Sequence, residues 1–282
     1  MIKVGSYYQL AKPGIIYGNL LTAIAGYLMA SHLSIVWSSF IGTVIGYSFV
    51  VGSACVFNNL YDRDIDKLMN RTSKRPSVEG SISLYAGLTF GTLILIIGLI
   101  SLVLFTTLLS FMIACIGFII YIPIYTYLKR KTHLATIVGA LSGAMPILGG
   151  YLAYSANFTV GSLLIFLMMF FWQMPHFYAI AIFRLKDYQK AKVPVLPLVK
   201  TVHLTTYMMI VFSMLFFVTV VLLYINSSFS LLYLIILGFS SLIWLFINVL
   251  GLFVKEKFKW ARQSFFVSLA VVLIMSLMIA NR

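Results

Sequence analysis

Nine apolar runs of roughly 17–25 residues recur along this chain, each long enough to cross a bilayer as a helix. They lie near 14–31, 35–58, 82–103, 106–128, 132–154, 159–183, 202–224, 229–253 and 263–281. The 82–128 region admits more than one division, because the loop at its centre is very short. Polar residues concentrate in a few short segments between the runs. The pattern predicts an all-α polytopic membrane protein of about nine transmembrane helices, with residues 1–282 forming a single transmembrane domain. Two halves echo each other: GYL at Gly26–Leu28 returns at Gly150–Leu152, and Asp62 returns as Asp187, at offsets of 124 and 125 residues. In each half the acid follows the second run and opens a basic loop. This suggests two four-helix pseudo-repeats plus a ninth helix around a central cavity, the arrangement that builds membrane sites at a pseudo-symmetric interface.

Composition narrows the class. Hydrophobic residues make up 62% and charged residues 9% of 282, too few charged groups to cover a water-facing surface. A soluble domain is excluded. With the N-terminus in the cytoplasm, the inner segments are the N-terminal tail, 59–81, 129–131, 184–201 and 254–262. They hold 19 of the 20 Lys and Arg residues and all six acids, leaving only Arg282 outside. That bias sets the orientation, and it reads the net charge of +14 as topology and contact with anionic lipid. No motif supports nucleic-acid binding. Cys55 and Cys115 both fall in spans and suggest neither a disulfide nor a metal spacing. The N-terminus lacks a signal-peptide cleavage pattern, so the first span is expected to be retained.

The chemistry concentrates in NNLYDRDIDKLMNRTSKRP, Asn58 to Pro76. Three of the six acids, Asp62, Asp64 and Asp66, fall within five positions at the end of an apolar run. At 3.6 residues per turn, Asn58, Asp62 and Asp66 share about 80° of one helix face, with Asp64 opposite. Carboxylates at i, i+4 repel, and a helix C-terminus disfavours anions. A divalent cation reverses both penalties: Mg²⁺ takes hard oxygen ligands and keeps positions open for phosphate. Arg71, Lys74 and Arg75 follow at once, as counter-charges to a polyanion should. The competing reading is a solvated helix end of mixed charge.

Elsewhere polar groups are sparse. Pro13 suits the first turn of the first span, and Asn19 above it reads equally as an interhelical hydrogen bond or a substrate contact. The second basic loop, FRLKDYQKAKVPVLPLVK, brings Arg184, Lys186 and Asp187 to the end of the sixth span. Asp187 is either one half of an ion pair or the partner of the first acidic cluster across the bundle. Upstream stands FFWQMPHFYAIAIF, where Pro175 is expected to bend the helix. Gln173 and His176 interrupt apolar sequence there. The histidine is either hydrogen-bonded to a neighbour or placed to ligate or handle protons. Tyr121, Tyr125 and Tyr127 read as ordinary interfacial aromatics, and the last three spans as packing around a greasy wall.

These pieces describe one mouth: carboxylates and an amide for a cation, basic residues around it, and an apolar chamber above. An amphiphile with a diphosphate head and a hydrocarbon tail fits. Mg²⁺ and guanidinium groups stabilise a departing diphosphate. An allylic carbocation survives among aromatic faces away from water. An intramembrane prenyltransferase is the first expectation. An ion-coupled transporter is the alternative of another class, although its acids would sit mid-bilayer. A cofactor chaperone or assembly scaffold is a third, without need of paired aspartates.

The pattern Asn58-x-x-x-Asp62-x-x-x-Asp66, followed by R-T-x-x-R-P from Arg71 to Pro76, resembles the intramembrane prenyltransferase superfamily. KPGIIYGNL, VFNNLYDRDID, WQMPHFYAIAIFRLKDY and VPVLPLVK resemble the branch of it that farnesylates haem, over about residues 7 to 203. The resemblance implies transfer of the farnesyl group of farnesyl diphosphate to a vinyl group of haem B, with addition of water. The products are haem O and diphosphate. It implies Mg²⁺ held by Asn58, Asp62, Asp66 and Asp187, and phosphate contacts from Arg63, Arg71, Lys74, Arg75, Arg184, Lys186 and Tyr188. His176 would meet the haem, as an iron ligand or in steering a proton at the vinyl group. It lies eleven residues before Asp187, about 16 Å along a straight helix. Many superfamily members carry D-x-x-x-D in the second loop; here Ala191 follows Asp187, so a second fully protein-held Mg²⁺ is not supported. The implied setting is the bacterial cytoplasmic membrane, with a haem A synthase or terminal oxidase as implied partners. A sister enzyme acting on a quinone precursor or other aromatic acceptor would share the same metal site.

Overall fold

A computed structural model describes residues 4–281; Lys3 and Arg282, which enter the charge count above, lie outside them. Among the described residues nine helices are long and apolar enough to cross a membrane. They are Pro13–Ser31, Trp37–Tyr61, Leu84–Phe105, Leu108–Leu128, Ala135–Tyr154, Val160–Phe183, Val202–Asn226, Leu231–Leu250 and Lys257–Ala280. Every expected span is present. Pro13 opens the first one, as its missing N–H allows. The third, fourth, sixth and seventh begin at hydroxyl caps. Ser83, Thr107, Thr159 and Thr201 each accept a backbone N–H from the first turn. Thr107 therefore divides the 82–128 region, and its hydroxyl also donates to the Leu152 carbonyl at 2.6 Å.

Most boundaries fall within a few residues of expectation, and two of the shifts have a clear tertiary reason. The second span runs on to Tyr61 because the polar residues Asn58 and Asn59 are buried there by neighbours. Asn59 Nδ2 donates to the Leu10 carbonyl at 2.7 Å. The ninth starts at Lys257, six residues early. Lys257 Nζ donates to the Gly251 carbonyl at 2.6 Å, beside the end of the eighth helix, and Trp260 Nε1 donates to the Ile247 carbonyl at 2.7 Å. A cation beside those terminal carbonyls is favoured by the helix dipole.

The second helix packs along the third and the sixth along the seventh; the first contacts the second and the fifth contacts the sixth. These matched pairings recur in the two halves, and the ninth helix closes the ring between the sixth and the first. The halves meet where the first helix crosses the fifth, at the repeated GYL. A Cβ on Gly26 would lie 2.0 Å from the Ile147 carbonyl oxygen, and one on Gly150 would lie 1.9 Å from that of Ala23. Ala23 and Ile147 are themselves offset by 124 residues. Each half therefore presents the same glycine to the same backbone position of the other, as in a self-complementary two-fold contact. Only glycine permits this approach. The fifth helix is accordingly among the most buried, 61% against 22% for the third and fourth, which face outward.

The last three helices are more polar inside than expected. Trp244, Ser264, Asn248 and Ser213 form one buried hydrogen-bonded chain at 2.6 to 3.2 Å that joins the eighth helix to the ninth and the seventh. In an apolar medium such side-chain bonds hold helices together where burial alone does not distinguish protein from lipid. Within the fourth span, Ile120–Tyr125 is wound as a π-helix around Pro123, whose missing N–H removes one ordinary helical bond. In this segment Tyr121 stacks on Tyr125, with centroids 5.2 Å apart. The sixth helix runs without a break through Pro175.

Candidate active site

The second helix ends at Tyr61 and a short helix, Arg63–Leu68, resumes after Asp62. The backbone bonds Asp62 N to Asn58 O (3.0 Å) and Asp66 N to Asp62 O (2.8 Å) carry the four-residue spacing across the junction. Asn58, Asp62 and Asp66 therefore stay on one inward face. The Asp62 and Asp66 side chains are 5% and 6% exposed, whereas Asp64 is 65% exposed. The division expected from helical spacing holds.

Each buried acceptor meets a basic group from a different segment. Lys12 Nζ donates to Asn58 Oδ1 at 2.8 Å, and Arg75 Nη1 to Asp66 Oδ2 at 2.5 Å. Lys129 pairs with Asp62. Arg130 grips Asp64 with two bonds of 2.7 Å and stands 3.6 Å from Asp62 Oδ1. The Arg130 guanidinium holds the Asp64 carboxyl below its usual range. Burial pushes Lys12 down to about 8 and lowers Lys129, the latter against the opposing pull of Asp62. Charges this deep are tolerable only in mutual company.

The arrangement fits a hard divalent cation. Asp62 Oδ1 is buried without a hydrogen-bond partner among the described residues. Among the described residues no three His, Cys, Asp or Glu side chains gather into an all-protein cage. Two carboxylates and an amide suit an ion that takes the rest of its shell from phosphate and water.

This acid–base mouth opens into a cavity of about 510 Å³. The cavity brings together Asn58, Asp62, Asp66, Arg71, Arg75 and Tyr188 at one end and His176 on the sixth helix. Between and around them stand apolar and aromatic side chains, among them Phe118, Tyr121, Tyr125, Trp172 and Phe177. The remaining candidates do not line it. Arg63 donates to the Ser77 carbonyl at 2.7 Å, Lys74 and Lys186 are exposed, and Arg184 lies over the Phe183 ring. Asp187 is buried, and its Oδ1 accepts the Asn70 backbone N–H at 3.2 Å. It ties the second loop to the first. Burial pushes the Tyr188 phenol up, so it faces the cavity uncharged.

Sequence reasoning missed Lys12, Lys129, Tyr121 and Tyr125 as site residues. The lysines read as topological charge and the tyrosines as interfacial, although both tyrosines line the cavity. Tyr127 alone stays on the exterior. Asn19 does line the cavity, but its amide bonds to Ile15 of its own helix, so the interhelical bond is not formed.

A nine-helix bundle around an apolar chamber with this mouth is the scaffold of an intramembrane prenyltransferase. The chain belongs to the UbiA prenyltransferase family, whose sequence pattern matches residues 19–270. It is 42% identical to the protoheme IX farnesyltransferase of Protochlamydia amoebophila over 276 residues, covering 98% of each chain. It is 41% identical over 281 residues to that of Yersinia pseudotuberculosis, covering 99% of this chain and 95% of the relative. Among solved structures it resembles digeranylgeranylglyceryl phosphate synthase (TM-score 0.82, 20% identity, all of both chains). It also resembles a UbiA homolog from Archaeoglobus fulgidus bound to GPP and Mg²⁺ (TM-score 0.73, 16% identity, 98% and 100% of the chains). At such identities these two likenesses speak for the fold.

Proposed function

We propose that the protein transfers the farnesyl group of farnesyl diphosphate to a vinyl group of haem B, with addition of water, giving haem O and diphosphate. The observation that carries this reading is the single cavity that joins a buried acid–base mouth to an apolar, aromatic-walled chamber with His176 in its lining. Full-length similarity to protoheme IX farnesyltransferases supports haem as the acceptor.

In this reading Asn58, Asp62 and Asp66 hold Mg²⁺ against the diphosphate. The ion supplies neutralisation of the leaving group's charge. Arg71, Arg75, Lys12 and Lys129 converge on the same oxygens and favour the transition state, in which charge on the diphosphate grows. Asp187 orders the first loop through Asn70 N–H. Tyr121 and Tyr125 offer ring faces to the allylic cation and help exclude water. His176 meets the haem deeper in the bundle. An ion-coupled transporter is disfavoured because Asp62, Asp66 and Asp187 all sit at the mouth end, with no acid in mid-span.

The charge bias of the loops supports a multi-pass protein of the bacterial cytoplasmic membrane, with the mouth and N-terminus on the cytoplasmic side. The whole chain acts as one transmembrane domain, and the product passes to a terminal oxidase or to an enzyme that oxidises haem O to haem A.

Membranes containing the protein, given haem B, farnesyl diphosphate and Mg²⁺, are expected to yield haem O by mass spectrometry, and none after chelation. Prenylation of an aromatic quinone precursor in place of haem would refute the assignment of the acceptor. Lys129→Met is expected to raise KM for farnesyl diphosphate roughly 10- to 100-fold, the worth of one charge-assisted contact. An unchanged KM would remove Lys129 from the phosphate site.

A further inference from the structure

Deep in the cavity lining, the sixth helix carries two polar side chains one turn apart, Gln173 and His176. At i, i+3 they lie on one helix face. Gln173 is 4% exposed, and its Oε1 is buried with no hydrogen-bond partner among the described residues. A Cβ on Gly143 of the fifth helix would lie 2.4 Å from Oε1, so the carboxamide is packed directly on that glycine. A buried carbonyl oxygen without a donor costs about 1–3 kcal/mol, unless something that can donate a hydrogen bond comes to it.

The imidazole beside it is held on three sides. Trp172 stacks on it at 4.7 Å, the Phe265 ring lies at 4.9 Å, and Nδ1 is 2.7 Å from Ser268 Oγ on the ninth helix. A serine hydroxyl has one proton. Ser268 directs it to the Phe265 carbonyl at 2.5 Å, so its oxygen accepts from the imidazole. The proton of neutral His176 then sits on Nδ1, and Nε2 is left with a lone pair and no hydrogen bond among the described residues. Trp172 Nε1 donates to the Ser268 carbonyl at 3.0 Å, fixing the same corner of the ninth helix.

Two acceptors with lone pairs to spare, one turn apart, suit a small molecule with two donor hydrogens once the Gln173 carboxamide turns its oxygen from Gly143 toward the chamber. We propose that Gln173 Oε1 and His176 Nε2 hold the water that adds to the farnesylated vinyl group, and that Ser268 is the positioning residue that sets the imidazole tautomer. The inference rests on the haem-farnesylation reading and adds the fate of the cation. The allylic C–O bond breaks with its electron pair going to diphosphate. The vinyl π pair forms the new C–C bond to the farnesyl carbon, which leaves a cation on the carbon attached to the porphyrin. The water lone pair closes the C–O bond there, and its released proton goes to Nε2 and leaves with the products through the mouth. Without a held water, the same cation loses a proton from the adjacent carbon and gives a farnesylated haem lighter than haem O by one water. His176 thus acts on the water, and it is not the iron ligand.

The test is the ratio of the two haem products by mass, whatever the overall rate. In Gln173→Leu the dehydrated share is expected to rise roughly tenfold or more over wild type, as loss of a proton-handling contact does. Ser268→Ala is expected to raise it by a smaller factor, and Gln173→Glu, which keeps an acceptor oxygen, to restore haem O. If Gln173→Leu makes no product, Ser268→Ala decides. Ferric haem bound to His176→Ala should keep the wild-type absorption spectrum. Haem O as the sole product of Gln173→Leu and Ser268→Ala, or loss of a nitrogen ligand in the His176→Ala spectrum, overturns the inference. A wild-type protein that yields no farnesylated haem at all overturns the reading beneath it instead.

Discussion

Asp62→Asn and Asp66→Asn are each expected to lower farnesyl transfer by roughly 10²–10³-fold or more, the scale seen when one preorganised electrostatic contact to a transition state is lost. The substitution keeps the side chain's shape and removes its charge. Asp62 holds Lys129 and stands near Arg130; Asp66 holds Arg75. Each variant therefore loses an anionic oxygen for Mg²⁺ and leaves a buried cation without its partner. The second effect costs stability, so activity should be read on protein that still melts cooperatively in detergent. The two causes separate in a Mg²⁺ titration: loss of a ligand raises the metal concentration needed for half-maximal rate, whereas partial unfolding lowers the plateau. Full activity in both variants would end the case for a metal–diphosphate mouth. Asp64→Asn serves as the contrast, since that side chain points to solvent with Arg130.

The largest structural effect is expected at the crossing of the two repeats. Gly26→Ala or Gly150→Ala places a methyl group within 2.0 Å of a backbone carbonyl of the facing helix. Backbone on both sides cannot yield as a side-chain tip does, so the first and fifth helices must part. Overpacking typically costs 1–3 kcal/mol; here the cost is expected at about 3 kcal/mol or above. It reads as a fall in detergent melting temperature and in folded yield. The two glycines are partners in one contact, so the double variant should cost less than the sum of the singles once the helices have separated. Additive losses would mean that the crossing is not a shared one. Activity should fall with folding, because Asn58 and Asp62 hang from the second helix, which packs on the first.

Much of the fold was legible because membrane insertion writes itself into composition. A span must satisfy its backbone internally and present apolar side chains, so nine runs of the right length predict nine helices. The repeat was legible too, from three residues, because a helix crossing this tight accepts only glycine at its centre. The polar interior of the last three helices was not. Ser213, Asn248, Ser264 and Ser268 are scattered singly among apolar residues, and a lone serine gives no sign of its partner. Arg63, Lys74, Arg184 and Lys186 share the loops' charge and chemical type with Arg71 and Arg75, yet they point elsewhere; loop charge does not encode direction.

Within the site the division follows distance along the chain. Asn58, Asp62 and Asp66 were readable as one face because helical periodicity relates residues four apart, wherever the helix is placed. The sequence by itself therefore determined the membrane class, the nine spans, the acidic face and its chemical type. Which cations answer that face was decided only by packing. Lys12 reaches Asn58 across 46 residues, Lys129 reaches Asp62 across 67, and Ser268 meets His176 across 92. Tyr121 and Tyr125 likewise join the cavity wall from the π-wound segment around Pro123, which no local pattern marked as inward. Local spacing is set by backbone geometry that every helix shares, whereas these pairings exist only once the two halves have closed on their glycines and the ninth helix has sealed the ring.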